Sequence, residues 1–433
     1  MRQILMNHDL PGQNKLLRMR WAMISFAFVA TVLNYLHRLS FNYLAAKGPL
    51  HDLIPDDAFG YIASAFFIAY MISNAFSGFA IDKLGTRIGY SLCMAFWTTA
   101  AILHALAKSP FQFGFFRFLL GIGEAGNWPA SIKLTSEWFP PDERSTASGI
   151  FNSGASIGAV VAPPLIAWLG TTYGWQITFV VIGVSGYLWL ASFWFIYYTP
   201  KKVAKETNAR IIPPLRLLKN RFVSGLTLSK VFMDPVWYFI TFWIGRYLAD
   251  VYGWNLAKIG WFAMFPFIVS DFGNILGGLF TQFIIKNGID IPKARKVSVT
   301  IFGLIMALSL LSGPFVIKGP TGALIVLAVA GFGYAAYTAN TMAFPADVVP
   351  KSATASVWGI ASVGAGLGGV IFQSVSGVTI KNLSTHFDYT IAYNAVFIGY
   401  GLIALIGLAI VLFLTGPLVQ NKDLQDYVDN GIA

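Results

Sequence analysis

Twelve apolar stretches of about 20 residues run through this 433-residue chain, and they restrict its possible folds more than any other feature. They lie at roughly 21–45, 58–80, 88–108, 112–136, 145–169, 175–198, 223–248, 257–285, 297–317, 321–345, 352–380 and 391–416. Each is long enough to cross the hydrocarbon of a bilayer, where a helix satisfies its backbone hydrogen bonds within itself. The pattern predicts an all-α membrane protein with twelve transmembrane helices. Hydrophobic residues at 56% against charged residues at 11%, with a mean hydropathy of +0.63, exclude an ordinary soluble protein.

The net charge of +11 gains its meaning from placement. An even number of spans puts both termini and alternate loops on one side. That side holds twenty Lys and Arg residues, and the opposite loops hold five: Lys47, Lys108, Lys258, Lys318 and Lys381. This positive-inside pattern predicts cytoplasmic termini and a lipid bilayer, not nucleic acid, as the macromolecular surroundings. Cys93, the single cysteine, excludes an internal disulfide, and no metal or cofactor is expected. The first apolar run is too long for a cleavable leader and is expected to remain as a span.

The loop TPKKVAKETNARIIPPLRLLKNR at 199–221 divides the stretches six and six. It suggests an N-terminal bundle at 1–198, a basic cytoplasmic linker at 199–221 and a C-terminal bundle at 222–433. The bundles echo each other: Gly154, Ala155, Gly158 and Val160 return as Gly364, Ala365, Gly368 and Val370 at an offset of 210. Duplicated six-span units are common in secondary transporters, whose sites lie at the midplane between the halves. Glycines four apart equally serve close helix packing.

Charges inside apolar stretches are costly, at about 2.5–3.5 kcal/mol each on insertion scales. Arg117 and Glu124 sit in RFLLGIGEAGNWPA, seven apart, on one helix face and about 10 Å apart along its axis. Arg38 lies about 17 residues into the first stretch, some 25 Å along it. A planar guanidinium suits a carboxylate ligand, and a structural ion pair with Glu124 is the other reading. Lys230 and Asp234 stand at i, i+4 and suit a local ion pair; Asp271 lies in the eighth stretch. Asn127, Asn340 and Ser362 offer polar partners for a polyol acid.

After the second stretch, GFAIDKLGTR carries Gly78, Asp82, Lys83, Gly85 and Arg87, and resembles the loop motif of the major facilitator superfamily. The corresponding stretch after the eighth span, GGLFTQFIIKNG, has Gln282 where an acid is expected. NYLHR (34–38), RFLLGIGEAGNWPA, SEWFPPDERSTASGIFNSGASIGAVVAPPL, MDPVW (233–237) and PADVVPKS (345–352) resemble the anion:cation symporter family, and within it bacterial hexuronate transporters. The resemblance implies a proton-coupled symporter of a sugar acid anion, acting by alternating access as a monomer in the bacterial inner membrane. It also implies that Arg38 contacts the anion, that Tyr35 and Tyr70 line the cavity, and that Glu124 is the proton site with Arg117 as its partner. Relatives commonly carry an acid just before the arginine, with a part in coupling; this chain has His37, which can itself titrate near neutral pH or simply serve as a hydrogen-bonding group. Asp82, Arg87, Glu137 and Arg144 are expected to tie helices on the cytoplasmic face and hold the outward-facing state.

Aldonates, glucarate and aromatic carboxylates are alternative substrates. An enzyme would need a nucleophile–base pair or a metal cluster, and the five scattered histidines suggest neither. A channel would not need a two-fold repeat around central charges.

Overall fold

The structure, a computed structural model, describes residues 13–139, 144–198, 212–349, 353–419, 424 and 426. Twelve helical segments cross it. The first six are α1 (Gln13–Leu44), α2 (Asp56–Leu84), α3 (Thr86–Leu103), α4 (Pro110–Glu124, resuming after a turn as Asn127–Trp138), α5 (Arg144–Tyr173) and α6 (Trp175–Ile196). The second six are α7 (Arg221–Tyr252), α8 (Leu256–Ala263 and Phe265–Lys286), α9 (Ile291–Val316), α10 (Pro320–Thr341), α11 (Thr354–Ser384) and α12 (Tyr389–Phe413). Most of the basic 199–221 loop lies outside the described residues; Pro214–Lys219 within it is a short helix.

Among the described residues, nine of these helices are long and apolar enough to cross a membrane. The other three are α2, α4, which the turn at Ala125 and Gly126 divides into two shorter segments, and α7, which carries Lys230, Asp234, Arg246 and Asp250. Twelve spans agree with the architecture. Large apolar side chains point outward, with Phe195 85% and Phe315 81% exposed, while Arg117 and Glu124 are fully buried. A soluble protein has the opposite polarity, so this is a multi-pass membrane protein.

The sequence repeat returns as repeated packing. A Cβ on Gly154 or Gly158 of α5 would strike the backbone of α1 at Phe28 and Val32. A Cβ on Gly364 or Gly368 of α11 would strike α7 at Thr227 and Val231. Both pairs of contacts are four residues apart, so α5 lies on α1 as α11 lies on α7. Between the halves, α2 packs on α11 and α5 on α8. Gly60 and Gly377 let the backbones of α2 and α11 meet, and Gly260 does the same for α8 against α5.

Candidate functional site

Arg38 and Glu124 meet in the first half. Arg38 projects from α1, while Glu124 ends the first segment of α4, just before the turn at Ala125 and Gly126. Gly121 and Gly123 bring α4 against the backbones of Phe66 and Trp97, where no Cβ would fit. Arg38 places Nε and Nη2 each 2.9 Å from Oε2 of Glu124, and Nη2 also donates to Asn34 one turn earlier at 3.1 Å. The rings of Phe66, Tyr70 and Tyr35 surround the guanidinium at 5.0, 5.1 and 5.2 Å. Such a cage holds the cation while its planar donors stay aimed. The Arg38 side chain is 11% exposed, and that of Glu124 is fully buried.

Arg117 lies within electrostatic reach of Glu124 but makes its direct contacts elsewhere. Its Nη1 donates to the Arg38 carbonyl at 2.8 Å and its Nη2 to Asn42 Oδ1 at 2.6 Å, with the Phe41 ring 4.9 Å away. The two residues stand some 10 Å apart along the helix. α1 fills the gap, giving a cation to Glu124 and acceptors to Arg117. His37 is a buried hydrogen-bonding group, with Nε2 2.8 Å from the carbonyl of Ile182 on α6. Adjacent helical residues point about 100° apart, so His37 and Arg38 meet different surroundings.

Asn127 and Asn340 are absorbed by packing. Asn127 bonds Tyr90 and Thr31, and Asn340 bonds Thr281 and two carbonyls. Ser362 is partly exposed and donates to the Trp358 carbonyl. Lys230 and Asp234 form the expected pair at 2.7 Å, with the ammonium 4.9 Å from the Trp358 ring.

At the end carrying both termini, the α2–α3 motif ties helices of the first half together. Gly85, with φ 80°, makes the turn that an L side chain would strain. Arg87 donates to the Trp194 carbonyl at 2.6 Å and stacks over its ring. Glu137 accepts from Thr86 at 2.8 Å and from the Tyr197 hydroxyl. Lys83 is exposed, and a Cβ on Gly78 would lie 3.9 Å from Pro129. The side chains of Asp82 and Arg144 lie outside the described residues.

The opposite end holds a charge network between the halves that sequence reasoning missed. Arg246 of α7 forms an ion pair with Asp56 of α2 at 2.7 Å and donates to the Ile54 carbonyl at 2.7 Å. Asp250 accepts from Tyr393 at 2.9 Å and lies 3.2 Å from His51 Nε2. Lys381 reaches Asp57 at 2.7 Å. The signal was present, since Arg246 and Asp250 are i, i+4 charges at the edge of an apolar stretch. Just inside this network Ser64 and Ser374 meet at 2.8 Å. Hydrogen bonds and ion pairs that join the halves gather toward this end: His51 with Asp250, Ser64 with Val370 and Ser374, Lys381 with Asp57 and Tyr389 with Asp56.

Residues 16–289 match the family described as the Major Facilitator Superfamily. The chain is 31% identical over 434 residues to the hexuronate transporter of Escherichia coli (strain K12), covering 94% of this chain and 96% of that one. It is 33% identical over 330 residues to the galacturonate transporter of Dickeya chrysanthemi, covering 70% and 94%. In fold it is similar to a bacterial homolog of the human lysosomal transporter Spinster in an inward-facing, unoccupied conformation, with a TM-score of 0.75 at 18% identity over 92% of this chain and 97% of that one.

Proposed function

This chain belongs to the Major Facilitator Superfamily, a family of transporters rather than enzymes, and from that premise we propose that it imports a hexuronate such as galacturonate or glucuronate together with protons. The relatives named for hexuronate and galacturonate transport support the substrate class. The observation that carries the coupling is the Arg38–Glu124 pair at 2.9 Å, buried between helices and ringed by Tyr35, Phe66 and Tyr70.

The pair explains how a proton and an anion travel together. In the empty carrier, Arg38 and Glu124 neutralise each other, so reorientation moves no uncompensated charge from this pair. A proton on Glu124 releases the guanidinium, whose two donors then take the substrate carboxylate in a forked contact. The loaded site is again neutral: a protonated acid beside an arginine–carboxylate pair. Either ligand alone leaves a net charge in low dielectric, which disfavours reorientation. The positive-inside pattern puts the termini in the cytoplasm of a bacterial cell. On that orientation the Arg246–Asp56 network is an outer gate, closed while the site faces inward.

The test is uptake of radiolabelled galacturonate into proteoliposomes. Saturable uptake raised by an inward pH gradient, with counterflow by unlabelled glucuronate, is expected. Faster uptake of galactonate, glucarate or benzoate than of either hexuronate would overturn the substrate class. Uptake indifferent to the pH gradient would overturn the coupling.

A further inference from the structure

Asp271 stands apart from the other carboxylates within the spans. α8 belongs to a span running Leu256–Lys286, and Asp271 lies fifteen residues from either end. That is about 22 Å from each, the middle of the membrane. Glu124 has Arg38, Asp234 has Lys230, and Asp56 and Asp250 share Arg246. Among the described residues no ion pair reaches Asp271; its polar neighbour across the halves is Ser156 on α5. The carboxylate is partly exposed, and it lies within electrostatic reach of Tyr35, one of the rings around Arg38.

Of the helices packed against α8, α7 and α1 carry cations, but Lys230, Arg246 and Arg38 are paired with Asp234, Asp56 and Glu124. α5 has no charged residue between 145 and 172, and α10 has none at all, offering only Tyr334 and Tyr337. On α9, Lys293, Arg295 and Lys296 cluster at the terminus-bearing end, where Arg295 is held by Asp347 and Lys296 by the Leu412 carbonyl. Lys258 and Lys286 lie near opposite ends of the span. His37, beside Arg38 in sequence, is already engaged by Ile182.

In the empty carrier, water between the halves can solvate an ionised Asp271. A sugar acid seated on Arg38 displaces that water and brings a second negative charge close by. A charged carboxylate without a cation does not suit that dry state, and a neutral one does. We propose that Asp271 is a second proton-binding site of the transport cycle, loaded when substrate binds and emptied when it leaves. The proposal rests on the proton-coupled uptake proposed above. One proton from the outer solution adds to a carboxylate oxygen and is returned to the inner solution; no other bond changes. With Glu124 also protonated, two protons accompany one monovalent anion, and one net positive charge crosses per turnover.

That charge makes the proposal measurable. Wild type and Asp271→Asn are reconstituted, and steady-state accumulation of radiolabelled galacturonate is measured under a fixed pH gradient, with and without an inside-negative potassium diffusion potential of ~60 mV. One net charge predicts about a tenfold rise in wild-type accumulation from that potential. Asp271→Asn should lose this rise and keep accumulation driven by the pH gradient. A rise that persists in Asp271→Asn overturns the second site, as does a wild type driven by the pH gradient but indifferent to potential. A wild type driven by neither overturns the coupled uptake itself. If Asp271→Asn does not fold, a pH dye reports the protons taken up when galacturonate binds the wild type in detergent. Close to two per ligand supports the site, and one or fewer overturns it.

Discussion

Arg38 spends two donors on a single oxygen of Glu124, Oε2, each at 2.9 Å, and leaves Oε1 without a partner among the described residues. The carboxylate thus has one oxygen engaged by the cation and one ready for a proton. A static structural pair would more often use both oxygens in a forked contact.

Arg38→Ala should weaken galacturonate binding by about 2–5 kcal/mol, since a buried charged hydrogen-bond partner is lost. Arg38→Lys should recover little, because an ammonium cannot present the planar fork. Calorimetry on the purified variants checks both. Wild-type affinity in Arg38→Ala would put the carboxylate elsewhere.

Glu124→Gln keeps shape and removes titration. Accumulation driven by a pH gradient should disappear, while exchange of external for internal substrate continues, because exchange needs reorientation of the loaded carrier without proton release. Assaying both modes on one preparation separates this from misfolding, which would abolish them together. Undiminished accumulation would remove Glu124 from the coupling path.

His37→Asp would set a carboxylate against the Ile182 carbonyl, acceptor against acceptor, in a buried site. We expect a loss of about 1–3 kcal/mol in stability, seen as a lower melting temperature, with no gain in protons moved per substrate. His37→Gln, which retains a donor, should melt closer to wild type. A stable His37→Asp protein with an altered proton ratio would return position 37 to the coupling path.

Arg246→Gln removes the cation that joins Asp56 and the Ile54 carbonyl across the halves. Breaking a buried pair on one side costs about 3–5 kcal/mol, here drawn from the closed outer end, so the population should shift toward the opposite state. Labelling of Ser64→Cys in a Cys93→Ser background reports it, because Ser64 is sealed against Ser374 in this state. The rate with a membrane-impermeant thiol reagent should rise at least about tenfold. An unchanged rate would mean that the network does not hold the gate.

The sequence by itself determined the helical membrane architecture, the two-fold repeat and the residues under suspicion. Each of those is a local or periodic property: twenty apolar residues in a row, glycines four apart, a charge where lipid forbids one. Arg38, Glu124, Lys230 and Asp234 declared themselves in that way, through the cost of their position. Partnership did not, because it depends on which helix lies between which. Glu124 and Arg117 share a helix face, yet α1 separates them and assigns Arg38 to one and Asn42 to the other. His37 and Arg38 are neighbours in the chain and point into different surroundings. Asp56 and Arg246 are 190 residues apart, and only the docking of α2's first turn against α7 makes them a gate. Asp271 was visible as a charge in an apolar stretch, but its lack of a counter-ion became a property only when α5 and α10 packed around it without one. Periodicity fixes the face a side chain occupies; the fold alone decides what stands opposite.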